Sequence, residues 1–390
     1  MQINSIYQSV IEILDTYLNE AKIDFVLRKW AIKHRFAGSS DRRKIKDIIF
    51  DIIRQKKSCE HVGGGFSGRN LLIGYLKLKG TELSSVFDNS KFGPEELTIK
   101  EQNINVDFSN LSNIYELDFP SWLIPILRRS LLNEFSNVVK ALRNRSHIQL
   151  RVNLKKISRL NAMKKLQKNN IECEINELCS TALNVLNGAQ HILTSPCFEN
   201  GFVELQDAGS QLVSELIEIN YNDKVLDMCA GAGGKSLAIS CGAELDATYY
   251  AWDINFDRMK DIDARSKRAG VKIEKVIKLS SKSFYNKIII DAPCSGSGSW
   301  RRDPEGKWRL DEDILDNYVK TQKELILKGL KLLAPRGQIL YITCSILDIE
   351  NGKLIDDLIS SVLSLKLVRS ISLVPSSKSD GFYGAVLEKV

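Results

Sequence analysis

The chain of 390 residues contains no apolar run long enough to span a bilayer, which takes about 20 consecutive apolar residues. Its opening, Met1-Gln2-Ile3-Asn4, lacks the basic and then apolar profile of a secretory leader. Both absences point to a cytoplasmic protein without a membrane partner. There is no Cys-x-x-Cys pair and no cluster of Cys with His, so a bound metal is not expected. The four histidines, His34, His61, His147 and His191, are dispersed, and none falls beside the chemistry-bearing segments described below. Acid–base work by imidazole is therefore not expected. Internal repeats and low-complexity tracts are missing too, which excludes a solenoid or a largely disordered chain.

What is present is ordinary for a globular protein, with 43% hydrophobic and 26% charged residues. The length suits two or three domains. The net charge of +7 is unevenly spread: +5 over residues 1–70, −4 over 71–120, +7 over 121–200 and −1 over 201–390. A near-neutral carboxyl-terminal half with basic appendages suggests a polyanionic substrate, with nucleic acid the foremost candidate. Solvated, Lys-rich helix faces are the plainer explanation of the same charge.

Periodicity divides the chain into three regions. Residues 1–117 read as a helical domain with a linker. Ile6, Val10, Ile13, Leu14 and Tyr17 share one helix face, and Ser40-Asp41 opens a second helix carrying Ile45, Ile48, Ile49, Ile52 and Ile53. Residues 118–200 read as a small α+β module. Its elements are a helix from Trp122 to Leu142, a helix over Arg159–Gln167, and strands near His147–Asn153, Ile171–Ile175 and Ala182–Leu186. Residues 201–390 alternate apolar runs (Val225-Leu226, Tyr249–Trp252, Ile288–Ile290, Ile339–Ile342) with helical stretches. That alternation predicts a doubly wound α/β domain with a parallel sheet.

Two of the eight cysteines end apolar runs in that third region. Cys294 follows Asp291-Ala292-Pro293, and Cys344 follows Tyr341-Ile342-Thr343. Each pattern reads as a buried strand delivering a thiol to the loop at its carboxyl end, where open α/β sheets place their chemistry. A pair of thiols there suggests covalent catalysis, because a thiolate is a strong nucleophile near neutral pH. The other cysteines, Cys59, Cys173, Cys179, Cys197 and Cys241, have no such context apart from Cys229 in the next motif.

Val225-Leu226-Asp227-Met228-Cys229-Ala230-Gly231-Ala232-Gly233-Gly234-Lys235-Ser236 reads as a strand, a Gly-rich turn and a helix start. It is not a P-loop, because Cys229 stands where that motif needs its first glycine. It is not a dinucleotide fingerprint, because no third glycine is in register. It resembles the S-adenosylmethionine loop of Rossmann-like methyltransferases. The next strand ends in Trp252-Asp253, and an acid there suits the two ribose hydroxyls of a nucleoside.

Asp291-Ala292-Pro293-Cys294-Ser295-Gly296-Ser297-Gly298 with Thr343-Cys344-Ser345 resembles the paired cysteine motifs of the RsmB/Sun RNA cytosine-C5 methyltransferases. Leu205–Leu212, Arg301-Arg302-Asp303-Pro304 and Asp380-Gly381-Phe382-Tyr383 look like further segments of that family. Gly38–Arg42 and the Ile-rich helix after it resemble the NusB-like domain that bacterial members carry. The resemblance implies a Rossmann-like catalytic domain, an RRM-like module and an all-α NusB-like RNA-binding domain. It implies S-adenosyl-L-methionine as cofactor and small-subunit (16S) ribosomal RNA as partner; a monomer is expected. It assigns the nucleophile to Cys344, product release to Cys294 and the cytosine edge to Asp291. The cofactor site would be formed by Cys229, Ala230, Gly231, Ala232, Gly233, Gly234, Lys235, Asp253 and Asp291. Alternatives are a tRNA substrate, or a non-catalytic RNA-binding assembly factor of the same fold.

Three positions depart from the family pattern. Ala232 and Ser236 replace Pro and Thr in the cofactor loop. The stretch Lys278–Phe284 lacks the acid the family places near the adenine. Arg301 and Arg302 are expected to meet phosphates, with ion pairing to Asp303 or Glu305 as the other reading. Trp300 and Trp308 suit either base stacking or core packing.

Overall fold

The computed structural model describes residues 1–19, 22–104, 115–116, 118–242, 246–280 and 284–390. The chain divides into two compact units. The first is helical and consists of residues 1–126, 135–145 and 300–309. The second holds both sheets and consists of residues 127–134, 146–299 and 310–390.

Five helices lead the helical unit: α1 (Ile3–Asn19), α2 (Ile23–Lys33), α3 (Ser39–Arg54), α4 (Lys56–Gly63) and α5 (Gly68–Leu78). The apolar stripes anticipated for α1 and α3 form its core, with Ile6, Val10, Ile13 and Leu14 against Ile45, Ile49, Ile52 and Ile53. α3 starts where the Gly38 N–H donates to the Asp41 carboxylate at 3.2 Å, satisfying one donor at the helix start. α4 and α5 touch at Gly74, where a Cβ would lie 1.9 Å from the Cys59 carbonyl oxygen. Only glycine allows that approach.

The predicted single helix from Trp122 to Leu142 is broken. It runs as Leu123–Leu131 and Phe135–Leu142, with Leu132 between them at φ +47°. A left-handed residue cannot continue a right-handed helix. The second piece belongs to the helical unit. The segment Trp300–Arg309 also belongs to it and completes its interior. Lys307 Nζ donates to the Arg54 carbonyl at 2.7 Å, and Trp308 Nε1 donates to that of Ile53 at 3.0 Å. Trp300 is buried beside Phe119, which favours the core-packing reading over base stacking.

The sheet unit contains a four-stranded antiparallel sheet of β1 (Ile148–Val152), β2 (Glu172–Ile175), β3 (Ala182–Asn187) and β4 (Val203–Leu205), in the order β2-β3-β1-β4. The helix Arg159–Gln167 connects β1 to β2 as predicted. This is the RRM-like arrangement, and it extends to Leu205, past the boundary expected at residue 200.

The larger sheet has seven strands: β5 (Lys224–Asp227), β6 (Thr248–Ala251), β7 (Ile273–Lys275), β8 (Tyr285–Asp291), β9 (Leu333–Thr343), β10 (Leu365–Leu373) and β11 (Phe382–Lys389). Their order is β10-β11-β9-β8-β5-β6-β7. The pairs from β9 to β7 are parallel, while β11 is antiparallel to both β9 and β10. The Rossmann-like domain is therefore present, with an antiparallel edge. No described helix is long and apolar enough to cross a membrane.

Candidate active site

Four neighbouring parallel strands place their carboxyl ends side by side. Asp227 of β5 pairs with Ala251 of β6 and Ile289 of β8, and Asp291 of β8 pairs with Ile342 of β9. The loops that follow carry Cys229–Lys235, Asp253, Cys294 and Cys344. The chain moves outward from β5 through β6 and β7, then returns to β8 on the other side of β5. Crevices at such a reversal of strand order are where open α/β sheets bind ligands.

The two thiols meet. Cys294 Sγ and Cys344 Sγ are 3.5 Å apart, and both cysteines are free and half-buried. The Gly298 N–H donates to the Cys344 carbonyl at 2.9 Å and so joins one cysteine loop to the other. Their environments differ in sign. The hydrogen bond from Cys294 lowers the Cys344 thiol below its ordinary value, helped by the Lys235 charge and the Ser299 hydroxyl and opposed by burial and Asp291. The same hydrogen bond, followed by burial and the charges of Cys344 and Glu350, raises Cys294 well above its ordinary value. Of the two, Cys344 is the thiol whose ionised form these surroundings favour.

Asp291 is half-buried, and Lys235 Nζ stands 3.1 Å from its Oδ2. Lys235 also lies over the Phe382 ring, 5.5 Å from the centroid. Asp227 ties the loop down from below: it accepts from the Ser236 hydroxyl at 2.6 Å and the Cys229 N–H at 3.2 Å. Burial pushes its carboxyl up to about 6, against the pull of the Ser236 bond. The hydroxyl is what Ser236 contributes, so serine in place of threonine keeps that contact.

Asp253 is 4% exposed. One of its oxygens accepts from the Gly231 N–H and the other from the Asn255 N–H, each at 2.9 Å. Arg258 is 3.2 Å away. Gly231 and Gly233 have φ of +49° and +82°, so the turn needs residues free of a Cβ penalty. A Cβ on Gly234, where the next helix begins, would meet nothing within 4 Å. The helix start at Gly234 thus faces open space, with a buried acid beside the loop that leads to it. These groups fit a nucleoside carrying a charged, compact tail. Ser281, Lys282 and Ser283 of the acid-free stretch lie outside the described residues.

The sequence reading misses Glu350. It is completely buried, and its oxygens accept from the Ser295 N–H at 2.8 Å, the Ser295 hydroxyl at 2.5 Å, the Ser345 hydroxyl, and Gln322 Nε2 at 3.0 Å. The only local signal is a serine after each cysteine, five and 55 residues from the acid that joins them. Arg301 is a correction. It is 4% exposed within the helical unit, and its carbonyl accepts from Arg54 Nε at 2.8 Å, so the phosphate contact expected of it does not hold. Asp303 and Glu305 pair with Arg309, at 2.8 and 3.3 Å. Arg302 is exposed.

Comparison with known proteins agrees with this geometry. Residues 214–387 match the family model described as 16S rRNA methyltransferase RsmB/F. Residues 119–191 match the ferredoxin-like domain of RsmF/B-like methyltransferases. The ribosomal RNA small subunit methyltransferase B of Shewanella oneidensis is 28% identical over 403 residues, 92% of each chain. Its counterpart in Cronobacter sakazakii is 31% identical over 288 residues, 69% of this chain and 66% of that one. Among solved structures, that of PH0851 aligns with TM-score 0.73 and 22% identity over 99% of both chains. NSun6 from Pyrococcus horikoshii with SFG aligns with TM-score 0.61 and 19% identity over 70% of this chain and 98% of that one. With its paired thiols on adjacent strand ends and these matches along both sheets, the chain belongs to the RsmB/Sun family of methyltransferases.

Proposed function

We propose that the protein methylates carbon 5 of a cytosine in small-subunit ribosomal RNA, using S-adenosyl-L-methionine, through a covalent adduct on Cys344. The observation that carries this reading is the thiol pair at 3.5 Å, with Lys235 and Asp291 in ion-pair contact at the neighbouring strand ends. The relatives named as small-subunit ribosomal RNA methyltransferases supply the substrate class.

Carbon 5 of cytosine is too weak a nucleophile to accept a methyl group directly. The Cys344 thiolate adds to carbon 6, forming a C–S bond and pushing an electron pair onto carbon 5. Asp291 hydrogen-bonds the cytosine edge and so orients the base for this addition. When bound, S-adenosyl-L-methionine supplies an electrophilic methyl group on sulfur. The Gly231–Lys235 turn and Asp253 hold its nucleoside and tail. Carbon 5 takes that methyl group; a base then takes the carbon-5 proton, its electron pair restores the double bond to carbon 6, the C–S bond breaks, and Cys344 leaves as thiolate. Cys294, within hydrogen-bond reach of Cys344, assists this release. The base must be unstacked or single-stranded to reach the thiols. The NusB-like helical unit and the small module carry the excess charge that contacts phosphates.

The test is methyl transfer from labelled S-adenosyl-L-methionine to 16S rRNA lacking the modification, with tRNA as the comparison. Bisulfite mapping of rRNA from cells with and without the gene locates the base. Label on tRNA and none on 16S rRNA would overturn the substrate, and label on neither would overturn the activity.

A further inference from the structure

Resting on the reading of Cys344 and Cys294 as a working pair, we infer that Glu350 is a positioning residue that locks the two cysteine loops together so that the thiols stay within hydrogen-bond distance. Each cysteine is followed directly by a serine, and both serines bind this one carboxylate. Ser295 gives it both its N–H and its hydroxyl, at 2.8 and 2.5 Å, and Ser345 gives its hydroxyl. Gln322 Nε2 donates to it at 3.0 Å and to the Pro293 carbonyl at 2.9 Å, extending the clamp to the residue before Cys294.

The network reaches further on both sides. The Ser297 hydroxyl meets that of Ser345 at 3.0 Å, and the Ile346 N–H donates to Ser297 Oγ at 2.9 Å. The Leu347 N–H donates to Ser345 Oγ at 3.0 Å. Glu350 is itself held by its backbone, whose carbonyl accepts from the Tyr341 hydroxyl at 2.7 Å. An ionised carboxyl group has acceptors only, so it can gather several donors from two loops without supplying one. A glutamine cannot, because its NH2 would face another donor. Burying a carboxyl group costs free energy, and four hydrogen bonds offset it here. Glu350 touches neither sulfur and acts through the serines.

The test compares Glu350→Gln, Ser295→Ala and Ser345→Ala with the full-length wild type, and it has two readouts. Diamide takes one hydrogen from each thiol and leaves an S–S bond, so the rate of the Cys294–Cys344 disulfide reports their proximity without RNA. Cofactor titration reports the integrity of the sheet. Glu350→Gln is expected to form the disulfide about 10- to 100-fold more slowly, the usual consequence of losing charge-assisted hydrogen bonds. It should bind cofactor as the wild type does, and its kcat should fall with KM unchanged. The serine variants should show the same pattern more weakly. Wild-type disulfide rates in all three variants would overturn the proposal, as would equal loss of cofactor binding, which marks a merely structural role. Should wild-type protein fail to methylate RNA, the disulfide readout still decides the clamp, so the two readings fail separately.

Discussion

The Cys294 and Cys344 loops look interchangeable in sequence: each is an apolar strand, a cysteine and a serine. Their surroundings make them opposites. The hydrogen bond between them, with the Lys235 charge, lowers Cys344, while the same bond, burial and the Glu350 charge raise Cys294. This asymmetry has the sign that the proposed roles require, attack by Cys344 and assistance by Cys294. The lesson is that two thiols 3.5 Å apart can be driven in opposite directions, because their shared hydrogen bond, burial and nearby charges act on them with different signs.

The strongest way to break this comparison is to remove each sulfur in turn. Cys344→Ala should lose all methyl transfer and form no covalent RNA adduct, as seen by denaturing gel. Cys294→Ala should accumulate the adduct. Adduct from the first variant and none from the second would exchange their roles. A second measure titrates the thiols with iodoacetamide and mass spectrometry. Cys344 should alkylate with a midpoint below the ordinary cysteine value, and its rate should rise as pH climbs through that midpoint and then level off. Cys294, raised in the presence of the Cys344 thiolate, should lag by a factor of about 100 or more at neutral pH. Equal rates would erase the asymmetry.

Asp253→Ala sharpens the comparison as a control that leaves both sulfurs in place. It should weaken S-adenosyl-L-methionine binding by roughly 1–3 kcal/mol, the cost of losing hydrogen bonds to a charged acceptor, while leaving the ratio of the two alkylation rates as it was. Calorimetric titration checks the first half, and unchanged affinity would remove Asp253 from the site. The smallest effect is expected from Lys235→Met. Its charge is one of the smaller influences lowering Cys344, so the alkylation midpoint should rise slightly. An unchanged midpoint would mean that the Lys235 charge does not act on Cys344.

Much of the site was legible because it is local. Each cysteine, the glycine turn and Asp253 sit within a few residues of a strand end, and strand ends announce themselves by apolar runs. The RRM-like module was legible for the same reason, apart from β4, whose three residues are too short to show a period. Glu350 was not legible, because its partners lie five to 55 residues away and nothing in an isolated glutamate says that it is buried. Arg301 misled for a similar reason. Its charge was visible, but the arginine and the segment it belongs to are enclosed by helices drawn from the start of the chain.

That enclosure bears on how the protein is made. The helical unit is encoded first, yet Lys307 is 2% exposed within it and Trp308 packs on its core. On a ribosome adding about 5–20 residues per second, roughly ten to fifty seconds separate the emergence of α5 from that of Trp308. During that interval Ile53 and Arg54 lack the side chains that take their carbonyls in the finished protein. The amino-terminal helices therefore complete their core only after most of the parallel sheet has left the exit tunnel. A fragment ending before residue 300 should be a ready client for chaperones, and one starting near residue 118 would leave Lys307 and Trp308 without their pocket.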